Sequence, residues 1–316
     1  VVGAGPAGVG AAVGLARRGV KPVVLIDRRE DIGGIPSLYR TKAGAVPTFV
    51  LWSRGRVLFG EQYAERLTNS LLNSGVDVWL ESQVIELSAG EKSVTVLNPV
   101  RGKVRITADA VVLACGAREQ NRIERRLGTG ARPAGVFFTK NMLDLAERND
   151  LPFARKPVVL GSDLVAYAAA AKLKASGTDQ IAMVDQRLRP GCSLPARIYF
   201  RRWVNPQFHG GTSVAYTHGE RSVASLGLED GSQLSCDRLL VSGDLIPNSE
   251  LPLLAGMDVE LPSRRLAVGL DHSLSAPGWF AAGNITGQSR GGEWCHLDGR
   301  RAAAHVARYL NGRRGA

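Results

Sequence analysis

The sequence predicts an α/β protein built from two domains that share one βαβ plan, each carrying a small antiparallel β layer. Three observations predict it. The chain opens on Val1-Val2-Gly3-Ala4-Gly5-Pro6-Ala7-Gly8, a strand end and a G-x-G-x-x-G turn that runs straight into helical Val9 to Arg18. Gly161 to Ala166 repeats that turn after a second apolar strand, Pro157 to Leu160. Finally, 24 positions separate Gly3 from Asp27 and also Gly161 from Asp185, so each turn glycine is followed at one distance by an acid that closes the next strand. Equal spacing of this kind marks an internal repeat, and the unit repeated is that of a Rossmann-like dinucleotide-binding domain.

The first turn carries the chemistry. Gly3 permits the tight turn, Gly5 lets a diphosphate approach bare backbone, and Gly8 lets the helix lie close to its strand. A helix N-terminus that follows such a turn offers free N–H groups to an anion. Val20 to Ile26 reads as a buried parallel strand, and Asp27 at its end is placed to accept from both hydroxyls of an adenosine ribose. Gly33-Gly34 is a second pair that lets backbone pass close to a ligand. A strand normally runs five or six residues, so the first strand is expected to extend upstream of this numbering.

From Ser37 to Phe59 there is no clear periodicity, and both a packed excursion and a lid beside the ligand fit it. Gly60 to Ser74 places Tyr63, Leu67, Leu71 and Leu72 at helical spacing as core residues, with Gly75 as the stop. Val76–Leu80, Gln83–Leu87, Ser93–Leu97 and Val104–Thr107 read as short strands of one antiparallel layer. Asp109 to Glu119 contains a buried parallel strand that ends in Ala114-Cys115-Gly116-Ala117, small residues that let a nucleotide come close. Arg118 and Glu119 read as a surface pair.

In the second copy the glycine positions are changed: the second is Asp163 and the third Ala166. A carboxylate there stands where a pyrophosphate needs bare backbone, and two like charges a few ångström apart repel by about 1 to 4 kcal/mol. Nucleotide binding in the usual manner is therefore disfavoured in this domain, although the fold is kept. Leu188 to Trp203 is basic, Val204 to Gly211 reads as loop, and Ser213 to Ser235 reads as a second antiparallel layer with a turn at Asp230-Gly231. Arg238 to Gly243 is a strand again, and Asp244 to Asn248 leads back to the first domain. The domain boundaries expected are thus residues 1–119 with 245–316, and 120–244. Gly278 to Asn284 is a last short strand, and Trp294 to Leu310 a helix whose N-terminal end offers further N–H donors.

Composition narrows the function. The chain has 316 residues, 44% hydrophobic and 22% charged, without an apolar run near membrane-span length. Its net charge of +11 comes from scattered arginine pairs such as Arg17-Arg18 and Arg201-Arg202, with no aromatic interleaving, which favours a solvated surface that helps hold anionic cofactors over nucleic-acid binding. The four cysteines, Cys115, Cys192, Cys236 and Cys295, include no C-x-x-C pair. That argues against a zinc or iron-sulfur site and against a neighbouring-cysteine redox pair, so no metal ligands are expected, and it suits a cytoplasmic protein.

Taken in order, the G-x-G-x-x-G turn, the acid, Gly-Gly, A-C-G-A-R at 114–118, the degenerate second turn and F-A-A-G-N at 280–284 resemble the pyridine nucleotide-disulfide oxidoreductase superfamily of flavoproteins, with a layout like that of thioredoxin reductase. R-P-A-G-V-F at 132–137 and W-C-x-x-x-G-R at 294–300 bring the chain nearer to the alpha subunits of opine and amino-acid dehydrogenases. The resemblance implies FAD in the first domain, with Gly3, Gly5, Pro6 and Ala7 at the pyrophosphate, Asp27 and Arg28 at the adenosine ribose, Gly34 and Ile35 beside the phosphates, and the backbone of Val84 at the adenine. It further implies that Ala114, Cys115 and Gly116 line the site, that Gly283 and Asn284 meet the ribityl chain, and that Trp294 and Cys295 open the helix facing the flavin. The catalytic residue is unknown, with Cys295 and His296 as acid/base candidates. Three functions follow from these readings: an FAD-dependent oxidoreductase passing a hydride to or from flavin N5, as in the alpha subunit of an amino-acid or opine dehydrogenase; an NAD(P)H-dependent flavin reductase; or a non-catalytic FAD-bearing subunit. The partners implied are a small-molecule substrate or electron acceptor and a partner subunit of a hetero-oligomer.

Overall fold

The computed structural model describes residues 1–39, 50–53, 56–125, 127, 132–148, 154–178 and 180–314. They form two compact units, the first of Val1–Ser37, Val50–Arg118 and Leu245–Ala316, the second of Glu119–Asp244 with a segment that starts at Leu38. Seven α-helices occur among the described residues: α1 Pro6–Ala16, α2 Gly60–Leu72, α3 Thr139–Arg148, α4 Leu164–Ala175, α5 Leu194–Arg201, α6 Glu250–Leu254 and α7 Gly292–Arg314.

In the first unit a parallel sheet runs in the order Asp77–Trp79, Val24–Ile26, Val2, Val111–Leu113, Trp279–Ala281, with Val2 alone bridging Ile26 and Leu113 at the centre. Val111–Leu113 and Trp279–Ala281 are short apolar runs buried throughout, as parallel strands covered by helices must be, while Asp77–Trp79 at the edge is partly exposed. Two corrections to the sequence reading arise here. Asp77–Trp79 pairs in parallel with Val24–Ile26 and does not join the antiparallel layer, which consists of Gln83–Ser88, Ser93–Asn98 and Gly102–Thr107. The unpatterned stretch holds a hairpin, Val50–Ser53 with Arg56–Phe59, while residues 40–49 and 54–55 of it lie outside the described residues.

Helices α1 and α7 pack against each other because glycine removes the side chains between them. A Cβ on Gly299 would stand 1.9 Å from the Ala7 carbonyl oxygen, and one on Gly10 would stand 2.3 Å from that of His296. Around this contact Val9, Ala11, Ala12, Leu25, Tyr63, Ala302 and Val306 form a core with little or no exposed surface. This contact brings the far end of the chain back against its beginning.

The second unit has a five-stranded parallel sheet, Val136–Phe138, Arg238–Val241, Pro157–Leu160, Ala182–Asp185, Gln207–Gly210, and a three-stranded antiparallel layer of Val214–His218, Ser225–Leu228 and Gln233–Ser235. The loop expected at Val204 to Gly211 is therefore the outermost strand in part. Leu38 and Tyr39 belong to this unit's core, beside Met142, Tyr167 and Leu173. Glu119 is no surface partner of Arg118: its carboxylate accepts the N–H groups of Thr139 (3.1 Å) and Lys140 (3.0 Å) at the start of α3, and Arg118 pairs with Glu250 at 3.2 Å.

Candidate dinucleotide site

The first turn is closed by steric necessity. Gly3 has φ +104°, and a Cβ there would lie 2.5 Å from the Ala114 carbonyl oxygen; one on Gly8 would lie 1.7 Å from the Gly3 carbonyl oxygen. Gly5 differs. It is the N-cap of α1 with φ −72°, and the nearest atom to a Cβ there would be the Gly34 Cα at 4.0 Å, so the space before it is open. α1 begins with Pro6, has no side-chain cap and has no acid in its first turn. The first N–H groups of the helix, at Ala7 and Gly8, thus face that open space without a side-chain acceptor, which is the arrangement that attracts an anion. Gly33 donates to the Ala4 carbonyl at 3.0 Å and so draws Gly34 across the turn, where its own φ is +65°.

Asp27 ends its strand with both oxygens anchored: Oδ2 accepts from Ala4 N–H at 2.6 Å and Oδ1 from Arg29 N–H at 2.8 Å. Each oxygen keeps a lone pair for a ribose hydroxyl. Arg28 is exposed and so is Ile35. Val84 is buried, and its carbonyl accepts the Gln83 side chain at 2.8 Å. At the end of the Val111–Leu113 strand, Ala114 donates to Val2 at 2.8 Å. The Cys115 thiol lies 3.7 Å from the Val2 carbonyl oxygen and is pushed up to about 11 by burial and the nearby Asp27 charge. The sequence reading passed over Asn248, whose side-chain amide donates to the Cys115 carbonyl at 2.8 Å and whose N–H donates to Gly116 at 3.1 Å. Its only sequence signal is that it follows Pro247 where the chain re-enters the first unit.

The carboxy-terminal part completes the site. Gly283 has φ +79°, and a Cβ there would meet Ala7 Cβ at 2.6 Å and Cys295 Cβ at 3.8 Å, so the Gly283-Asn284 turn is wedged between the first turns of α1 and α7. Asn284 spends most of its hydrogen-bonding capacity on the chain itself: Oδ1 accepts from Arg290 N–H (2.9 Å) and from the Cys295 thiol (3.3 Å), and Nδ2 donates to the Arg290 carbonyl (3.1 Å). Trp294 is half-buried with the Arg290 guanidinium carbon 5.2 Å from its ring centroid. Burial and the Asp298 charge push the Cys295 thiol up to about 12. His296 is buried against Gly10 in the α1–α7 contact, its Nδ1 has no hydrogen-bond partner, and burial lowers its basicity. The structure thus brings Gly3 to Ala114, Gly5 to Gly34, and Ala7 to Gly283 and Cys295; His296 is turned into the helix contact.

The second unit repeats this construction down to its hydrogen bonds. Gly161 has φ +116°. Asp185 accepts from Arg187 N–H at 2.9 Å and from the Ser162 hydroxyl, the counterparts of Arg29 and Ala4. The departure is Asp163. Its Oδ1 accepts Ala166 N–H at 2.8 Å, so α4 is capped by the chain's own carboxylate at the position of Gly5. Desolvation raises the pKa of Asp163 and outweighs that hydrogen bond. The first site therefore fits a dinucleotide diphosphate, and the second does not fit one in the same pose.

Residues 1–309 match the family model described as pyridine nucleotide-disulphide oxidoreductase. The chain belongs to this family. The family is one of FAD-dependent oxidoreductases, and the first unit's turn is the place that fits FAD. Sarcosine oxidase subunit alpha of Rhizobium meliloti (strain 1021) is 24% identical over 266 residues, 78% of this chain, and the chain spans only 24% of that relative's length. Among solved structures, T. acidophilum thioredoxin reductase superposes with a TM-score of 0.77 at 17% identity, over 98% of this chain and 97% of the other. L-proline dehydrogenase from P. horikoshii superposes with a TM-score of 0.70 at 19% identity, over 98% of this chain and 55% of the other. These likenesses establish that the fold is shared. Among the described residues no helix is long and apolar enough to cross a membrane, and all four cysteines are free.

Proposed function

We propose that this chain is the FAD-bearing subunit of a dehydrogenase or oxidase acting on an amino acid or a related secondary amine, and that NADH and NADPH do not reduce it. The observation that carries the proposal is the contrast between Gly5 and Asp163: one helix N-terminus is open to a diphosphate and its counterpart is closed by a carboxylate. Bound FAD supplies a flavin N5 that takes or gives a hydride. This chain's residues bind and orient it. The N–H groups at the start of α1 take the diphosphate, Asp27 takes the ribose, with Arg28 and the Val84 backbone on the adenosine side, and Ile35 covers the phosphates beside Gly34. The Gly283-Asn284 turn and the start of α7 at Trp294 and Cys295 close the flavin side, where the α7 N-terminus favours negative charge.

The substrate class is suggested by the relatives whose names bear sarcosine and L-proline, both amino acids. Neither acid/base candidate suits proton transfer: the Cys295 thiol is held protonated and already donates to Asn284, and His296 faces α1. The group that removes a substrate proton is therefore neither Cys295 nor His296. That the sarcosine oxidase relative is a subunit favours electrons leaving through a partner subunit.

Anaerobic mixing of the FAD-loaded protein with NADH, NADPH, sarcosine and L-proline, with and without a co-expressed neighbour, tests this. The expected result is that the yellow flavin band persists with both nicotinamides and bleaches with an amino acid. Rapid bleaching by NADH or NADPH would establish the reductase reading instead.

A further inference from the structure

The helices that begin at the glycine turns and at the flavin side differ in the charge they carry at their start. α1 has no acid in its first turn, α4 is capped by Asp163, and α7 carries Glu293 in its first turn. Gly292 fixes where that acid stands. A Cβ on Gly292 would lie 3.2 Å from Tyr63 Cε1, 3.5 Å from Pro36 Cγ and 3.6 Å from Pro6 Cγ, so this end of α7 rests on the two prolines that follow Ile35 and Gly5. Glu293 therefore sets a carboxylate beside a place that fits an anionic ligand.

Arg66 on α2 answers that charge. Its Nη2 lies 3.8 Å from Glu293 Oε1, and the two side chains are only 27% and 19% exposed. The second carboxylate oxygen, Oε2, is buried. The Arg66 guanidinium carbon is 6.0 Å from the Tyr63 ring centroid. Burial, and after it the Glu293 charge, hold the Tyr63 phenol far above its usual range, while Arg66 pulls the other way, so both charges are felt at one point under the start of α7. A half-buried carboxylate left without its cation is a costly state. An anion in a helix's first turn also takes up part of the positive end of the dipole that a ligand would otherwise use.

We infer that Arg66 and Glu293 are a charge pair that sets the electrostatic potential at the flavin side of the site, Glu293 lowering it and Arg66 restoring it. The effect is Coulombic and acts through space. The diphosphate is anionic throughout, and a flavin gains negative charge when it is reduced, so a carboxylate here disfavours the ligand and disfavours its reduced form more. Glu293 thereby keeps the flavin at a lower reduction potential than the bare start of α7 would give it, and Arg66 limits how far that goes. The inference rests on the reading that FAD occupies the first unit with its flavin toward α7.

The test compares the full chain as wild type, Arg66→Met, Glu293→Gln and the double variant. Melting of the FAD-free proteins comes first. Arg66→Met should lower the melting temperature by about 2 °C, and by less than half of that when Glu293 is already Gln. Equal losses in the two backgrounds would overturn the pairing without reference to FAD. FAD dissociation constants by flavin fluorescence and two-electron midpoint potentials against a reference dye follow. Arg66→Met should weaken FAD binding about fivefold and lower the potential by about 20 mV, a fivefold change in the ratio of oxidised to reduced flavin. Glu293→Gln should tighten binding and raise the potential, and the double variant should lie close to the wild type. Opposite signs are the mark of a charge effect, because lost packing would weaken binding in both single variants. Shifts of the same sign, or wild-type potentials in both, would overturn the inference. If Arg66→Met does not fold, Glu293→Gln decides, and an unchanged or lowered potential there overturns it. Failure of the wild type to bind FAD would instead remove the functional reading on which the inference stands.

Discussion

Asp163 accepts the backbone N–H of Ala166 at 2.8 Å, and with that one bond the helix after the second glycine turn carries its own anion. Gly5 occupies the same step of the first turn and offers only backbone. The two turns share a left-handed glycine, an acid 24 positions on and an N–H bond to that acid from the residue two beyond it, but the third glycine, Gly8, is Ala166 in the second turn, and the Ser162 hydroxyl replaces the Ala4 N–H as donor to the acid. Of these differences, the Asp163 side chain is the one that puts an anion on the helix N-terminus.

Replacing Asp163 tests this directly. Asp163→Gly should cost only a few tenths of a kcal/mol in stability, because glycine is itself an acceptable N-cap, whereas Asp163→Ala should cost about 1 kcal/mol. Urea unfolding midpoints compare the two. Neither nicotinamide should quench wild-type tryptophan fluorescence, and measurable NADH or NADPH binding that appears only in Asp163→Gly would show that the carboxylate is the obstacle.

Glycine substitutions in the first turn should separate binding from folding. Gly5→Ala places its Cβ in open space and keeps an ordinary φ, so the FAD-free protein should melt within about 1 °C of the wild type while FAD affinity falls at least about tenfold. Gly8→Ala drives its Cβ into the Gly3 carbonyl and should destabilise by about 3 kcal/mol or more, or prevent folding. Calorimetry without ligand and fluorescence titration with it distinguish these outcomes; equal effects of the two substitutions would contradict the assignment of Gly5 to the diphosphate.

Much of this was legible in the chain because the repeat is enforced locally. A turn glycine, a helix and a strand of fixed length leave the acid no choice of distance, so Asp27 and Asp185 stand out by spacing alone. Glu119 was misread because its partners, Thr139 and Lys140, lie some twenty residues away and nothing local marks them. Gln207–Gly210 is polar and glycine-bounded, and it becomes a strand only because Ala182–Asp185 presents a free edge to it. Asp77–Trp79 lies next in sequence to the antiparallel layer but pairs with Val24–Ile26, a choice made by tertiary packing. The contacts that shape the flavin side of the site, Asn284 with Arg290 and Glu293 with Arg66, depend on how α7 returns to α1, which no short window of sequence contains.

The cysteines give a pH-dependent check. Burial leads the upward shifts of Cys115, to about 11, and of Cys236 and Cys295, to about 12, so all three stay protonated well above neutrality in the folded state. Iodoacetamide at about pH 8, where an unburied thiol is partly ionised, should leave these thiols unmodified in native protein and alkylate them in urea. Mass spectrometry of tryptic peptides reads the result, and rapid native labelling of Cys295 would reopen its role as an acid/base group.

The most direct measurement is a titration of the purified chain with FAD, following flavin fluorescence and melting temperature together. The account predicts saturable binding of one FAD per chain, a yellow protein after removal of free ligand, and at a hundredfold excess over the dissociation constant a stabilisation of about 2.7 kcal/mol, or about 5 °C. Folded protein that stays colourless after incubation with excess FAD, with an unchanged melting temperature, would contradict it.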